Sequence, residues 1–135
     1  LNRVQTTEQY TIEQFWTQSE TDRKYRCRFF PYSIDNLLKK PVDRVRTMPL
    51  GIAYPKHEIL STEVLLPESW PAYHKAKIVS DPAFSFRMKV TTRGRRLTMA
   101  YEYVSLTNTV PPARVADYLQ KVDSADKTLG YSLTW

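Results

Sequence analysis

The chain has 135 residues, 41% of them hydrophobic and 13% aromatic, enough for one domain with a real core and too apolar for a disordered segment. Three glycines against nine prolines leave no G-x-G-x-x-G or P-loop pattern to cradle phosphate. The formal net charge of +6, from 20 Lys and Arg against 14 Asp and Glu, favours anionic surfaces weakly and is no mark of a nucleic-acid binder.

Cys27 is the single cysteine, so neither an internal disulfide nor a cysteine zinc cluster is available. No run of about 18 apolar residues occurs, so no membrane span is expected. No signal peptide is visible. The start at Leu1 rather than methionine suggests a processed or excised piece.

In chain order, residues 1–9 read as a linker or fraying end, followed by a single β-rich domain over 10–135. Thr11 and Gln14 have capping-box spacing, which predicts a short helix burying Ile12, Phe15 and Trp16. Tyr25, Cys27 and Phe29 alternate with Arg26, Arg28 and Phe30, a strand stopped by Pro31. Ser33 or Asp35 can cap a helical turn through Leu38, ended by Pro41. Pro49 to Tyr54 is short and apolar. Glu58 to Leu66 is rich in strand formers, and the face with Leu60, Val64 and Leu66 is the more apolar. Pro67 closes that strand, Trp70 and Pro71 make a corner, and Lys75 to Val79 is a further strand before a turn at Asp81-Pro82.

Phe84 to Leu106 carries the strongest pattern. Phe84, Phe86, Met88 and Val90 alternate with polar residues, and so do Leu97, Met99, Tyr101 and Tyr103. Between the two sets lies Arg93-Gly94, and glycine supplies the positive φ of a tight turn. A hairpin folded there faces Val90 with Leu97, Met88 with Met99, Phe86 with Tyr101 and Phe84 with Tyr103. A slip of one residue would turn one row outward, so the register is well specified. Burying these eight side chains is worth at most about 12–20 kcal/mol before chain entropy. A hairpin alone is marginal, so another layer must cover that face.

Val110-Pro111-Pro112 announces a helix, because proline's missing N–H has no partner in a first turn anyway. Val115, Leu119, Val122 and Leu129 form its apolar stripe, widened by Tyr118 and Ala125. Gly130 is a C-cap, and Tyr131 to Trp135 reads as a last strand. The fold class expected is mainly β (α+β): an antiparallel β-sandwich-like domain with one C-terminal amphipathic helix over 112–129. Either that helix or a second sheet covers the hairpin's apolar row.

Few residues suggest chemistry. Cys27 lies between two arginines, which favour a thiolate, and His57 or His74 could complete a Cys–His pair. The plainer reading makes Cys27 a small core residue aligned with Tyr25 and Phe29. The two histidines and Glu58, Glu63 and Glu68 have no diagnostic metal spacing, and neither a metal nor a cofactor is expected. Arg87, Lys89, Arg93, Arg95 and Arg96 crowd the hairpin. They form a candidate anion- or partner-binding patch, or else a solvated face that keeps sheet edges apart. Trp16, Trp70, Trp135 and nine tyrosines could offer a stacking platform, but fit core and interface positions as well.

The run Gly94-Arg95-Arg96-Leu97-Thr98-Met99-Ala100-Tyr101-Glu102-Tyr103-Val104-Ser105-Leu106, with Val110-Pro111-Pro112, Tyr118-Leu119 and Leu129-Gly130-Tyr131, resembles the tail of a family of multidomain, usually exported bacterial proteins. Arg46-Thr47-Met48-Pro49-Leu50, Tyr54-Pro55 and Leu65-Leu66-Pro67-Glu68-Ser69-Trp70 add to the likeness, which covers most of 10–135. Such proteins carry an N-terminal β domain of unknown function, a central transglutaminase-like domain of papain fold, and a C-terminal β domain. The resemblance implies a non-catalytic accessory domain, periplasmic or extracellular, whose partner is the neighbouring transglutaminase-like domain. That family's catalytic Cys, His and Asp lie upstream of the region resembled, and no residue here matches them. The alternative is a binding module for cell-wall glycan or another anionic polymer. Neither reading calls for nucleic acid.

Overall fold

A computed structural model describes residues 4–135 of the chain, which fall into two compact units. The smaller comprises residues up to Phe29 together with Tyr131–Trp135, and the larger is Phe30–Gly130. Antiparallel pairing dominates both, as a mainly β reading requires. The first three positions of the expected linker at 1–9 lie outside the described residues.

In the smaller unit, β1 (Thr17–Gln18), β2 (Tyr25–Phe29) and β7 (Tyr131–Thr134) form a three-stranded sheet with β2 in the centre. Cys27 lies opposite Leu133, and both are buried. Rings gather around them: Phe15 sits 5.6 Å from Phe29 and 6.0 Å from Trp16, and Trp16 sits 6.3 Å from Trp135. The helix predicted after Thr11 does not form. Gln14 has φ of +53° and the chain runs irregularly into β1, with Ile12 66% exposed. A two-turn helix is marginal by itself, and the aromatic contacts of Phe15 and Trp16 prevail over the local capping signal.

The larger unit is organised by one long ribbon, β4 (His57–Ser80) paired with β5 (Phe84–Ser105). Its closed end is the turn at Asp81-Pro82-Ala83, where the Asp81 carboxylate accepts the Ala83 N–H at 2.8 Å, the usual service of Asp in a turn. A straight strand of this length would span about 70 Å at 3.3 Å per residue. Yet the Leu106 N–H donates to the Ala83 carbonyl at 2.8 Å, just beyond the two ends of β5. The Phe84 and Tyr103 rings stack at 5.6 Å. β5 therefore doubles back on itself, at Gly94 with φ of +57°, where the sequence places the hairpin turn.

β4 follows on the outside of the bend. Its register shifts between Leu65 and Trp70 and again between Trp70 and Tyr73, so the extra residues around Pro67 and Pro71 are absorbed as bulges. The segments read from sequence as two strands separated by a corner are thus one irregular element. His57 to Leu65 pairs with Arg96 to Val104, and Tyr73 to Ser80 with Ser85 to Thr92.

All eight residues of the two apolar rows are at most 4% exposed. Their cover is α2 (Val115–Asp126), entered through a 3-10 turn at Pro112–Arg114. Val115, Tyr118, Leu119, Val122 and Ala125 are buried, as the stripe predicts. The Tyr118 ring meets Phe84 edge-on at 5.6 Å. Gly130 leaves the segment after the helix with φ of +82°, and its backbone hydrogen-bonds Tyr101. The first helix, α1 (Tyr32–Leu37), buries Ile34 and also contacts the ribbon. It has no side-chain cap at its start. β3 (Leu50–Gly51) pairs with β6 (Thr109–Val110), tying the loop before the ribbon to the segment after it.

Candidate outer-face site

Alternation that sends one row of β5 inward sends the next row outward. The outward positions Arg87, Ala100 and Glu102 join Ile59, Ala76 and Ile78 from β4 around a depression of about 340 Å³. These residues come from all four arms of the doubled ribbon. The arms therefore lie side by side in one layer, with α2 against the inward face. Ile59 and Ile78 are each 65% exposed. Ala76 and Ala100 are small, so the space between the isoleucines stays open.

The predicted basic cluster is divided by this geometry. Arg87 and Lys89 line the depression. Among the described residues neither has an ion-pair partner. Arg96 reaches Glu63 at 3.6 Å, and the Arg95 Nε–H donates to the Leu66 carbonyl at 2.9 Å. Arg93 is exposed beside Gly94, at the bend. Two of the five cations thus belong to the depression, two serve the ribbon, and one marks its tip. The nearby carboxylates are engaged: Glu102 with His57 Nε2 at 2.8 Å and Glu63 with Arg96.

Cys27 lies in the smaller unit and both histidines in the larger. Burial pushes the Cys27 thiol above its ordinary pKa despite a backbone hydrogen bond from Leu133. That is opposite to the shift an activated thiolate requires. The flanking arginines do not prevail, because alternation points them to the other side of β2. Among the described residues, no three His, Cys, Asp or Glu side chains gather as a metal site would need. Among the same residues, no helix is long and apolar enough to cross a membrane.

One buried ion pair escaped the sequence reading. The Asp81 side chain is only 2% exposed and accepts from Arg114 at 3.3 Å as well as from the Ala83 N–H. It links the ribbon's turn to the start of the helical segment. Asp-Pro announced the turn, but nothing local announced Arg114, 33 residues away. A second pairing joins Lys40 to Asp123 at 2.5 Å and Asp126 at 3.1 Å on α2. These hydrogen bonds raise the pKa of Lys40 and lower that of Asp123.

The outer face has an apolar floor, open walls and two cations without an ion-pair partner among the described residues. Glu102 also lines it, hydrogen-bonded to His57. Comparison with protein-family models, curated proteins and solved structures finds no match.

Proposed function

We propose that this chain is a non-catalytic accessory module that packs beside a papain-fold, transglutaminase-like domain in an exported bacterial protein. The observation that carries the reading is the pair Ile59 and Ile78, both largely exposed over one apolar depression while the two inward rows are buried. An apolar sheet face open to water is a common mark of a protein interface. The motif likeness across most of 10–135 is what suggests this neighbour, and Cys27, buried with a raised pKa, supports a structural rather than nucleophilic role. In this reading the sandwich-like arrangement is completed when the neighbouring domain lays a further layer on the outer face.

The test compares the longer protein with and without this segment. Loss of thermal stability, or a changed activity in the neighbouring domain, is expected on deletion. Unchanged melting and unchanged activity would overturn the reading.

A further inference from the structure

Resting on that reading, we infer that the depression takes an acidic peptide segment of the neighbouring domain, one that places an apolar side chain between Ile59 and Ile78 and carboxylates against Arg87 and Lys89.

The charge on this face sets the sign. Glu102 and Glu63 already have His57 and Arg96 as partners, while Arg87 and Lys89 have none among the described residues. Their long stems add apolar surface to the walls and leave the charged heads at the rim. An incoming carboxylate meets two cations that have no ion-pair partner among the described residues, and Arg87 can bind it through two parallel N–H donors. The same cations repel a basic segment, which gives selectivity as well as attraction.

The floor sets the class. A volume near 340 Å³ falls at the small end of the roughly 300–1,000 Å³ typical of ligand sites. The uncharged side chains open on it are aliphatic, Ile59, Ala76, Ile78 and Ala100, with Arg87, Lys89 and Glu102 among the charged residues that line it. Tyr101 also lines it, but it is only 4% exposed and belongs to the buried row. Sugars and bases are held by stacking on open aromatic faces, and this depression has none. A branched or aromatic amino-acid side chain matches it better than a polysaccharide or a nucleic acid does.

The experiment follows amide chemical shifts of the full chain during titration with the peptide Glu-Glu-Leu-Phe-Glu-Glu, blocked at both ends. In parallel, the chain is titrated with the same peptide carrying Gln for every Glu, and with soluble peptidoglycan fragments. Shifts centred on Ile59, Ala76, Ile78, Arg87, Lys89 and Ala100 are expected with the acidic peptide. Binding weakens at least tenfold for the Gln peptide, and by a similar factor for the Arg87→Glu/Lys89→Glu variant. Ile78→Asn also weakens it while leaving the charges in place. Both variants alter exposed positions, and an unchanged spectrum elsewhere checks the fold. Shifts that are absent, scattered, or equal for the two peptides would overturn the inference. Peptidoglycan fragments acting at these residues where the acidic peptide does not would overturn it in favour of a polysaccharide. If deletion destabilises the longer protein yet the peptide leaves these residues unmoved, only the assignment of this partner chemistry fails.

Discussion

The two faces of the ribbon are built from the same strands and have opposite fates. On the inward face, Phe84, Phe86, Met88 and Val90 meet Leu97, Met99, Tyr101 and Tyr103 under α2, and little solvent reaches any of them. On the outward face, Ile59 and Ile78 stand in water beside Arg87 and Lys89. The inward face holds the domain together. The outward face leaves apolar side chains in water, and these are what the proposed neighbour would cover. The comparison teaches that apolar character alone does not locate the core here; the presence of a covering helix does.

The largest expected effect falls on the inward face. Phe86→Ala removes a fully buried ring and should destabilise by about 3–5 kcal/mol in urea unfolding. A loss below about 1 kcal/mol would mean that the row is not packed as described.

The alkaline limit of stability gives the next effect. Burial, with Tyr118 nearby, pushes Tyr103 from 10.0 to about 12. The folded state keeps this proton at a pH where the unfolded chain has lost it. The contribution is therefore complete below pH 10 and is lost as pH rises toward 12, a fall of about 2–3 kcal/mol at roughly 1.4 kcal/mol per unit. Chemical unfolding at several pH values between about 9 and 12 reads it, and Tyr103→Phe should flatten the decline.

The turn-to-helix link comes third. Arg114→Met leaves the Asp81 carboxylate buried with the Ala83 N–H as its remaining hydrogen bond among the described residues. Breaking a fully buried pair costs about 3–5 kcal/mol, and the partial exposure of Arg114 reduces the expectation to about 1–3 kcal/mol. Adding Asp81→Asn should recover part of that loss, since the unpaired charge is then gone. A double variant as unstable as the sum of the singles would show that the pair does not couple.

The smallest effect belongs to the outward face and sharpens the contrast most. Ile78→Ser should change the stability of the isolated chain by no more than about 0.5 kcal/mol. A loss comparable with that of Phe86→Ala would make the outer face part of the core and leave it unavailable to a partner.

The sequence revealed these features unevenly, for physical reasons. Period-two alternation along Phe84 to Val90 and Leu97 to Tyr103, with Gly94 between, made the doubled strand readable, because a local repeat encodes which side each residue faces. The stripe from Val115 to Ala125 was readable on the same ground at helical period. The depression was not: Ile59, Ala76, Ile78 and Ala100 are ordinary within their own segments and become neighbours only once the ribbon bends. Continuity of β4 was hidden by Pro67 and Pro71, which the bulges accommodate. The helix expected after Thr11 failed because a capping signal is worth about 1 kcal/mol, less than the aromatic packing that claims Phe15 and Trp16. The division of the basic residues depended on partners such as Glu63 and the Leu66 carbonyl, which no spacing along the chain indicates.

The central claim is that β5 turns back at Gly94 and lays one continuous apolar sheet face beneath α2. Solution nuclear Overhauser contacts test it most directly. Ring protons of Phe84 should show contacts to both Tyr103 and Tyr118, and the Leu106 amide should lie close to Ala83. Strong contacts within β4–β5 pairs, with none between Phe84 and Tyr103 and none between Ala83 and Leu106, would describe a straight ribbon and contradict it.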